Sequence, residues 1–221
     1  MTEHKHSYRN VLNATSLFGG VQVINIIISL IRSKAIALLI GPLGMGIASL
    51  LVSTMELING ITNLGLERSA VKEISLANND SNTKSVAKTI SVLKKLVWLT
   101  ITLGVVIMIV ASPWLSEMAF GNKDQTISFI WISIALLFKQ LSSSQLAILQ
   151  GLRKLQYLAK ANLLGNFIGL LITVPLYYFF RLDAIVPAII ISTFMSFIFT
   201  YFFSQKLEIN KVKISRKEAI S

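Results

Sequence analysis

Lys139 stands in TISFIWISIALLFKQLSSSQLAILQ, residues 126–150, a stretch otherwise apolar enough for a bilayer. It lies about fourteen residues into that block, too far from either end for its ammonium to reach water along its own stem. A charge so placed faces protein or a water-filled cavity, because contact with lipid costs about 3 kcal/mol or more. Gln140, Ser142, Ser143, Ser144 and Gln145 follow it. Together they read as the polar lining of a cavity with a cationic wall, which suits an anionic cargo.

Two further places carry charge inside apolar sequence. Glu56 lies in LLVSTMELINGITNLGL, with Asn59 and Asn63 at i+3 and i+7 on the same helical face. Arg32 and Lys34 come late in the first apolar block, with Gln22 and Asn25 deeper in it. The structural alternative is that Glu56 and Lys139 pair to lock the helices, while Arg32 and Lys34 mark the end of a shorter first helix.

Residues for covalent or acid–base chemistry are missing. There is no cysteine, and the two histidines, His4 and His6, lie in the polar N-terminal stretch. No Ser/His/Asp set, paired carboxylates or nucleotide motif is present, so no catalytic residue, cofactor or metal is expected, and the chain reads as other than an enzyme. Gly41, Gly44 and Gly46 lack the GK[ST] ending of a phosphate loop and read as a turn. Gly165 and Gly169 form a GxxxG spacing that permits close helix approach.

These residues need elements to position them. Of 221 residues, 53% are hydrophobic and only 14% charged, and the mean hydropathy is +0.67. A soluble domain carries about 25% charged residues. Six blocks meet or approach the roughly 20 residues needed to span a bilayer: about 14–38, 44–65, 95–115, 126–149, 161–180 and 184–204. The expected fold is all-α, a polytopic membrane bundle of six helices within 1–221, with 205–221 as a basic cytoplasmic tail. The connections are short and rich in helix punctuation, except residues 67–94, where ERSAVKEISLA reads as a surface helix and Thr83 or Ser81 as a cap.

The net charge of +11 would suggest nucleic acid in a soluble protein, but the basic residues lie between apolar blocks, not in one aromatic-interleaved patch. Assigned to alternate sides, sixteen Lys and Arg fall on one side and at most four on the other. That split places both termini in the cytoplasm. Arg32 and Lys34 also argue against a cleaved signal peptide at Ala35-Ile36-Ala37.

The run RSKAIALLIGPLGMGIASL (32–50) and the stretch LAILQGLRKLQYLAKANLLGNFIGLLITVPLYYFF (146–180) resemble the polysaccharide (O-antigen) transporters of the multidrug/oligosaccharidyl-lipid/polysaccharide exporter superfamily. The resemblance implies a flippase that moves undecaprenyl-pyrophosphate-linked oligosaccharide across a bacterial inner membrane for lipopolysaccharide or capsule assembly. It further implies two six-helix lobes that rock around a central cavity in alternating access. Only the first lobe is matched, so a second lobe or a polysaccharide polymerase is an expected partner beside membrane lipids. By the same resemblance, Arg32, Lys34 and Lys139 are candidates to attract pyrophosphate or acidic sugars, and Glu56 to couple transport to a proton or sodium gradient. The alternatives are a drug or metabolite exporter of the same superfamily, favouring an acidic cavity, or an inactive half-transporter.

Overall fold

The computed structural model describes the backbone of residues 2–79 and 83–218, and the side chains of 19–78 and 84–206. His4 and His6 therefore lie outside the described side chains. Among the described residues seven α-helices follow one another: α1 (Thr2–Asn63), α2 (Leu66–Asn79), α3 (Thr83–Val110), α4 (Ser112–Phe120), α5 (Thr126–Gly151), α6 (Leu155–Phe180) and α7 (Ile185–Glu218). A 3₁₀ turn, Arg181–Ala184, joins the last two. No strand occurs among the described residues. In hydrocarbon a backbone must bond within its own segment, so long apolar runs fold as helix.

Among the described residues four stretches are long and apolar enough to cross a membrane: Gly19–Asn63, Lys84–Val110, Thr126–Gly151 and Leu155–Lys206. The first and last, 45 and 52 residues, are twice the length one crossing needs, and each is broken near its middle. The protein is a polytopic α-helical membrane protein.

The first break is at Gly41, with φ 71° and ψ −177°, a region essentially reserved for glycine. Pro42 follows and has no N–H to donate back to the Leu38 carbonyl. Residues 32 and 36 before the break line the same cavity as residues 48, 52, 55 and 56 after it. A straight helix would hold residues 32 and 56 about 36 Å apart, so α1 folds back as two arms. Carbonyls at the end of the first arm lose their helical donors. Arg181 Nη1 reaches across to supply one, 3.0 Å from the Leu39 oxygen. Of the three glycines expected to form this turn, only Gly41 leaves helical geometry; Gly44 and Gly46 lie inside the second arm.

The second break makes an antiparallel hairpin of α6 and α7. A Cβ on Gly165 would stand 2.9 Å from Ser196 Cα, and one on Gly169 would stand 3.5 Å from Ser192 Cα. The GxxxG spacing thus meets a facing Ser-xxx-Ser, and small residues on both helices allow the close approach. Nearer the chain ends, Tyr157 and Phe203 bring their rings to 6.1 Å.

The third apolar block differs from its expected limits of 95–115. Pro113 cannot continue a helix with full bonding, so the crossing stretch ends at Val110 and α4 starts afresh with proline in its first turn. Gly121, at φ 72°, closes α4 by donating to the Glu117 carbonyl at 2.9 Å. At its other end α3 begins at Thr83, which brings Lys84, Lys88, Lys94 and Lys95 onto the helix. Their long stems suit a membrane interface.

ERSAVKEISLA does form a helix, α2, which packs on α3 and α5 through Ala70, Ile74, Val86, Ile90 and Ile148. The 205–221 stretch also differs from a separate tail: α7 continues as helix to Glu218, with residues 219–221 outside the described part. The main core joins both arms of α1 to α5, α6 and α7 around Leu51, Met55, Phe129, Leu136, Tyr177 and Ile185. Leu38 (75% exposed), Val110 (75%) and Phe179 (73%) point outward, as they do in a solvent of acyl chains.

Candidate functional site: a charged cavity between the helical arms

A cavity of about 220 Å³ lies between both arms of α1 and helices α5, α6 and α7. Arg32, Glu56 and Lys139 all line it, with Thr173, Tyr177, Ser192 and Thr193. Lys139 is about 20 Å along α5 from Thr126 and about 18 Å from Gly151, so the cavity sits near mid-bilayer. Three charges from separate parts of the sequence therefore meet in one place.

Lys139 Nζ donates to Glu56 Oε1, and the pair spans α5 and the second arm of α1. The side chains remain 30% and 45% exposed, so both ends of the pair stay open to whatever fills the cavity. The ion-pair arrangement and the shared-cavity arrangement are thus both present.

Arg32 is held from the opposite wall. Its Nη2 donates to the Asn166 carbonyl at 3.1 Å, while Asn166 Nδ2 donates to Asn25 Oδ1 at 3.1 Å. Gly169 packs beside the guanidinium, where a Cβ would stand 3.4 Å from Arg32 Nη2, an ordinary contact. The second glycine of the GxxxG pair therefore neighbours both the partner helix and the arginine. Arg32 Nε is buried without an acceptor, and no described carboxylate lies within ion-pair distance of the side chain. A buried donor left unmade costs about 1–3 kcal/mol, more on a cation.

The hydroxyls of Thr173, Ser192 and Thr193 already donate to helical carbonyls of their own turns, at 3.4, 3.1 and 2.9–3.0 Å. They offer oxygen lone pairs inward. Around one net positive charge the cavity thus presents an arginine without a described carboxylate partner, an ion pair, and several acceptors.

The other sequence candidates lie elsewhere. Lys34 is exposed and does not line the cavity. Gln140 is 4% exposed on another face of α5, where its Nε2 donates to Thr62 Oγ1 at 3.0 Å. Gln145 is buried and also outside the cavity. Adjacent helical residues are turned about 100° from each other, so a polar run after Lys139 cannot all share its face. Ser142 instead contacts Ser196 and Thr200 at 3.2 Å each, tying α5 to α7. Much of that run binds helix to helix. Asn59 and Asn63, expected beside Glu56, do not line the cavity.

Sequence inspection did not single out Asn166, Thr173, Tyr177, Ser192 or Thr193. The GxxxG spacing was the available signal for the first two, which flank its glycines. Nothing marked Ser192 and Thr193 before the hairpin register was known.

The family model described as polysaccharide biosynthesis protein matches residues 11–220. No curated protein and no solved structure matches the chain. The match covers α1 from residue 11 onward, all of α5 and α6 and the described side chains of α7, hence every residue of the charged cavity. The chain belongs to the polysaccharide biosynthesis protein family.

Proposed function

We propose that this chain is a transporter lobe, and not an enzyme, that flips undecaprenyl-pyrophosphate-linked O-antigen or other polysaccharide repeat units across the bacterial inner membrane. The observation that carries this reading is Arg32: a membrane-depth guanidinium with no described carboxylate partner, lining a cavity shared with the Glu56–Lys139 pair. Pyrophosphate oxygens would accept from it. A cavity of about 220 Å³ is below the roughly 300–1,000 Å³ of ordinary ligand pockets, so it suits a charged headgroup while the glycan lies in a space shared with a second lobe.

In this mechanism the anion competes with Glu56 for Lys139. Arg32 and Lys139 then hold the headgroup together, and the released Glu56 carboxylate takes a proton or sodium ion. Closure of the lobes around the neutralised site carries the headgroup past mid-bilayer. The basic ends of α2, α3, α6 and α7 face the cytoplasm under the charge bias of the loops.

The supporting experiment is complementation of a flippase-null strain by the gene, read as surface polysaccharide. Restoration is expected; absence of restoration by protein that is present in the membrane contradicts the assignment.

A second reading has its own observation. A wider pocket of about 790 Å³ at the opposite end from the basic residues is lined by apolar side chains, with Asp124 and Asp183 as its charged groups. Apolar walls with carboxylates fit a cationic amphiphile, the cargo of a drug exporter. Resistance to such compounds on expression, with no restored polysaccharide, would favour it.

A further inference from the structure

The α2–α3 pair carries charge that the cavity does not use. Between Asp80 and Glu117 the sequence has no acidic residue, yet Lys84, Lys88, Lys94 and Lys95 fall in the first half of α3. The buried side chains of that half, Val86, Ile90, Leu93 and Val97, form one stripe packed with residues of α2 and α5. At about 100° per residue, Lys88, Lys95 and Trp98 lie within about 80° of one another on the opposite side of the helix. All three are exposed. α2 repeats the arrangement: Ala70, Ile74 and Ala77 face the core, while Arg68, Lys72 and Leu76 form an exposed stripe at i, i+4 and i+8.

Depth in the bilayer tells what meets these side chains. A crossing takes about 20 residues; counted back from Val110, where the apolar stretch ends, they reach Ser91. Lys88 then stands about 4.5 Å outside the hydrocarbon and Lys95 about 6 Å inside it, close enough for its stem to lift the ammonium to the surface. Trp98 lies about 4.5 Å deeper again, at the level where indoles gather below the headgroups. It is 58% exposed, and Leu99 beside it is 65% exposed.

Among the described residues no carboxylate pairs with Arg68, Lys72, Lys88 or Lys95. A ligand that meets both the ammonium groups and the indole must be anionic at the surface and apolar beneath it. Nucleic acid and free phosphate meet only the first condition. A zwitterionic lipid meets the second but brings no net charge to the lysines. An anionic phospholipid meets both.

We propose that the outer face of α3 binds an anionic phospholipid, its phosphate on Lys88 and Lys95 and an acyl chain along Trp98 and Leu99. Arg68 and Lys72 extend the basic surface toward further headgroups, with Leu76 as the apolar contact of α2. The bound lipid sets the depth of α3, and through the shared core that of α2. The inference rests on the membrane-spanning fold and does not depend on the transported cargo.

The test is quenching of Trp98 fluorescence by brominated lipid, using the full chain with Trp114→Phe and Trp131→Phe in phosphatidylcholine bilayers. Both replaced side chains are exposed, so phenylalanine disturbs little packing. Brominated phosphatidylglycerol should associate beside Trp98 about tenfold more tightly than brominated phosphatidylcholine, and the ratio should shrink at high salt. Lys88→Gln combined with Lys95→Gln should bring the ratio near one, arginine at both positions should retain it, and Lys123→Gln, beyond the far end of α3, should leave it unchanged. Equal quenching by the two lipids would mean that the lysines are merely hydrated and overturns the proposal. So would a ratio that survives in the glutamine variant, or one that inorganic phosphate erases at equal ionic strength, which would mark a site for a free anion.

Discussion

Lys139 on α5 is paired with Glu56, 83 residues earlier, on the wall of the cavity that Arg32 enters from the other side. The pair is a lock between helices and, on the proposed function, a latch that an anion opens. Removing one partner strands the other. Full burial would make that cost about 3–5 kcal/mol, but exposures of 30% and 45% reduce it to about 1–2 kcal/mol. Glu56→Gln and Lys139→Gln should each lower the melting temperature in detergent, and the double variant should recover much of the loss. Additive effects in the double-mutant cycle would show that the pair has no coupling.

The α6–α7 hairpin separates two glycines that look equivalent in sequence. A Cβ at Gly165 would press on the Ser196 backbone at 2.9 Å, which only a helix shift can relieve, while at Gly169 the nearest atoms stand at 3.4–3.5 Å. Gly165→Ala should cost about 1–3 kcal/mol. Gly169→Ala should be nearly neutral for stability. It meets Arg32 only at ordinary contact distance, and unfolding curves of the two variants that coincide would contradict the register.

Gly41 allows α1 to fold back. At φ 71° and ψ −177° any side chain is strained, at about 1–3 kcal/mol. Gly41→Ala should therefore destabilise the protein although a Cβ would meet nothing within 4 Å. Cysteine cross-linking between positions 32 and 56 should fall in parallel. Unchanged stability and cross-linking would show that the arms do not need this break.

Ser142 sits in the polar run yet serves α7. Ser142→Ala should cost about 0.6 kcal/mol, typical of an interhelical hydrogen bond in a membrane, and should leave polysaccharide output unchanged. A large loss of output at wild-type abundance would place the polar run back in the transport path.

Much of the fold could be read from the sequence because bilayer length and apolar blocks leave few choices. Block limits were legible where punctuation was strong, as at Arg181-Leu182-Asp183, and were off where Pro113 starts a new helix in place of a loop. Charges inside the blocks pointed to Arg32, Glu56 and Lys139 because such groups are costly in lipid. Their convergence was not legible, since hydropathy fixes neither the rotation of a helix nor the reversal at Gly41. The same gap explains Gln140 and Gln145: both follow Lys139 in sequence, but helical rotation turns them from its cavity. Lys34, two residues from Arg32, faces outward for that reason.

On the proposed function the guanidinium of Arg32 holds an anionic headgroup in the cavity it lines. The direct measurement is surface polysaccharide in a flippase-null strain carrying the wild-type gene, Arg32→Gln or Arg32→Lys, with membrane abundance matched. A drop of about tenfold or more is expected for Arg32→Gln, equivalent to about 1.4 kcal/mol of lost interaction, with partial retention for Arg32→Lys. Wild-type polysaccharide from Arg32→Gln at equal abundance would contradict it.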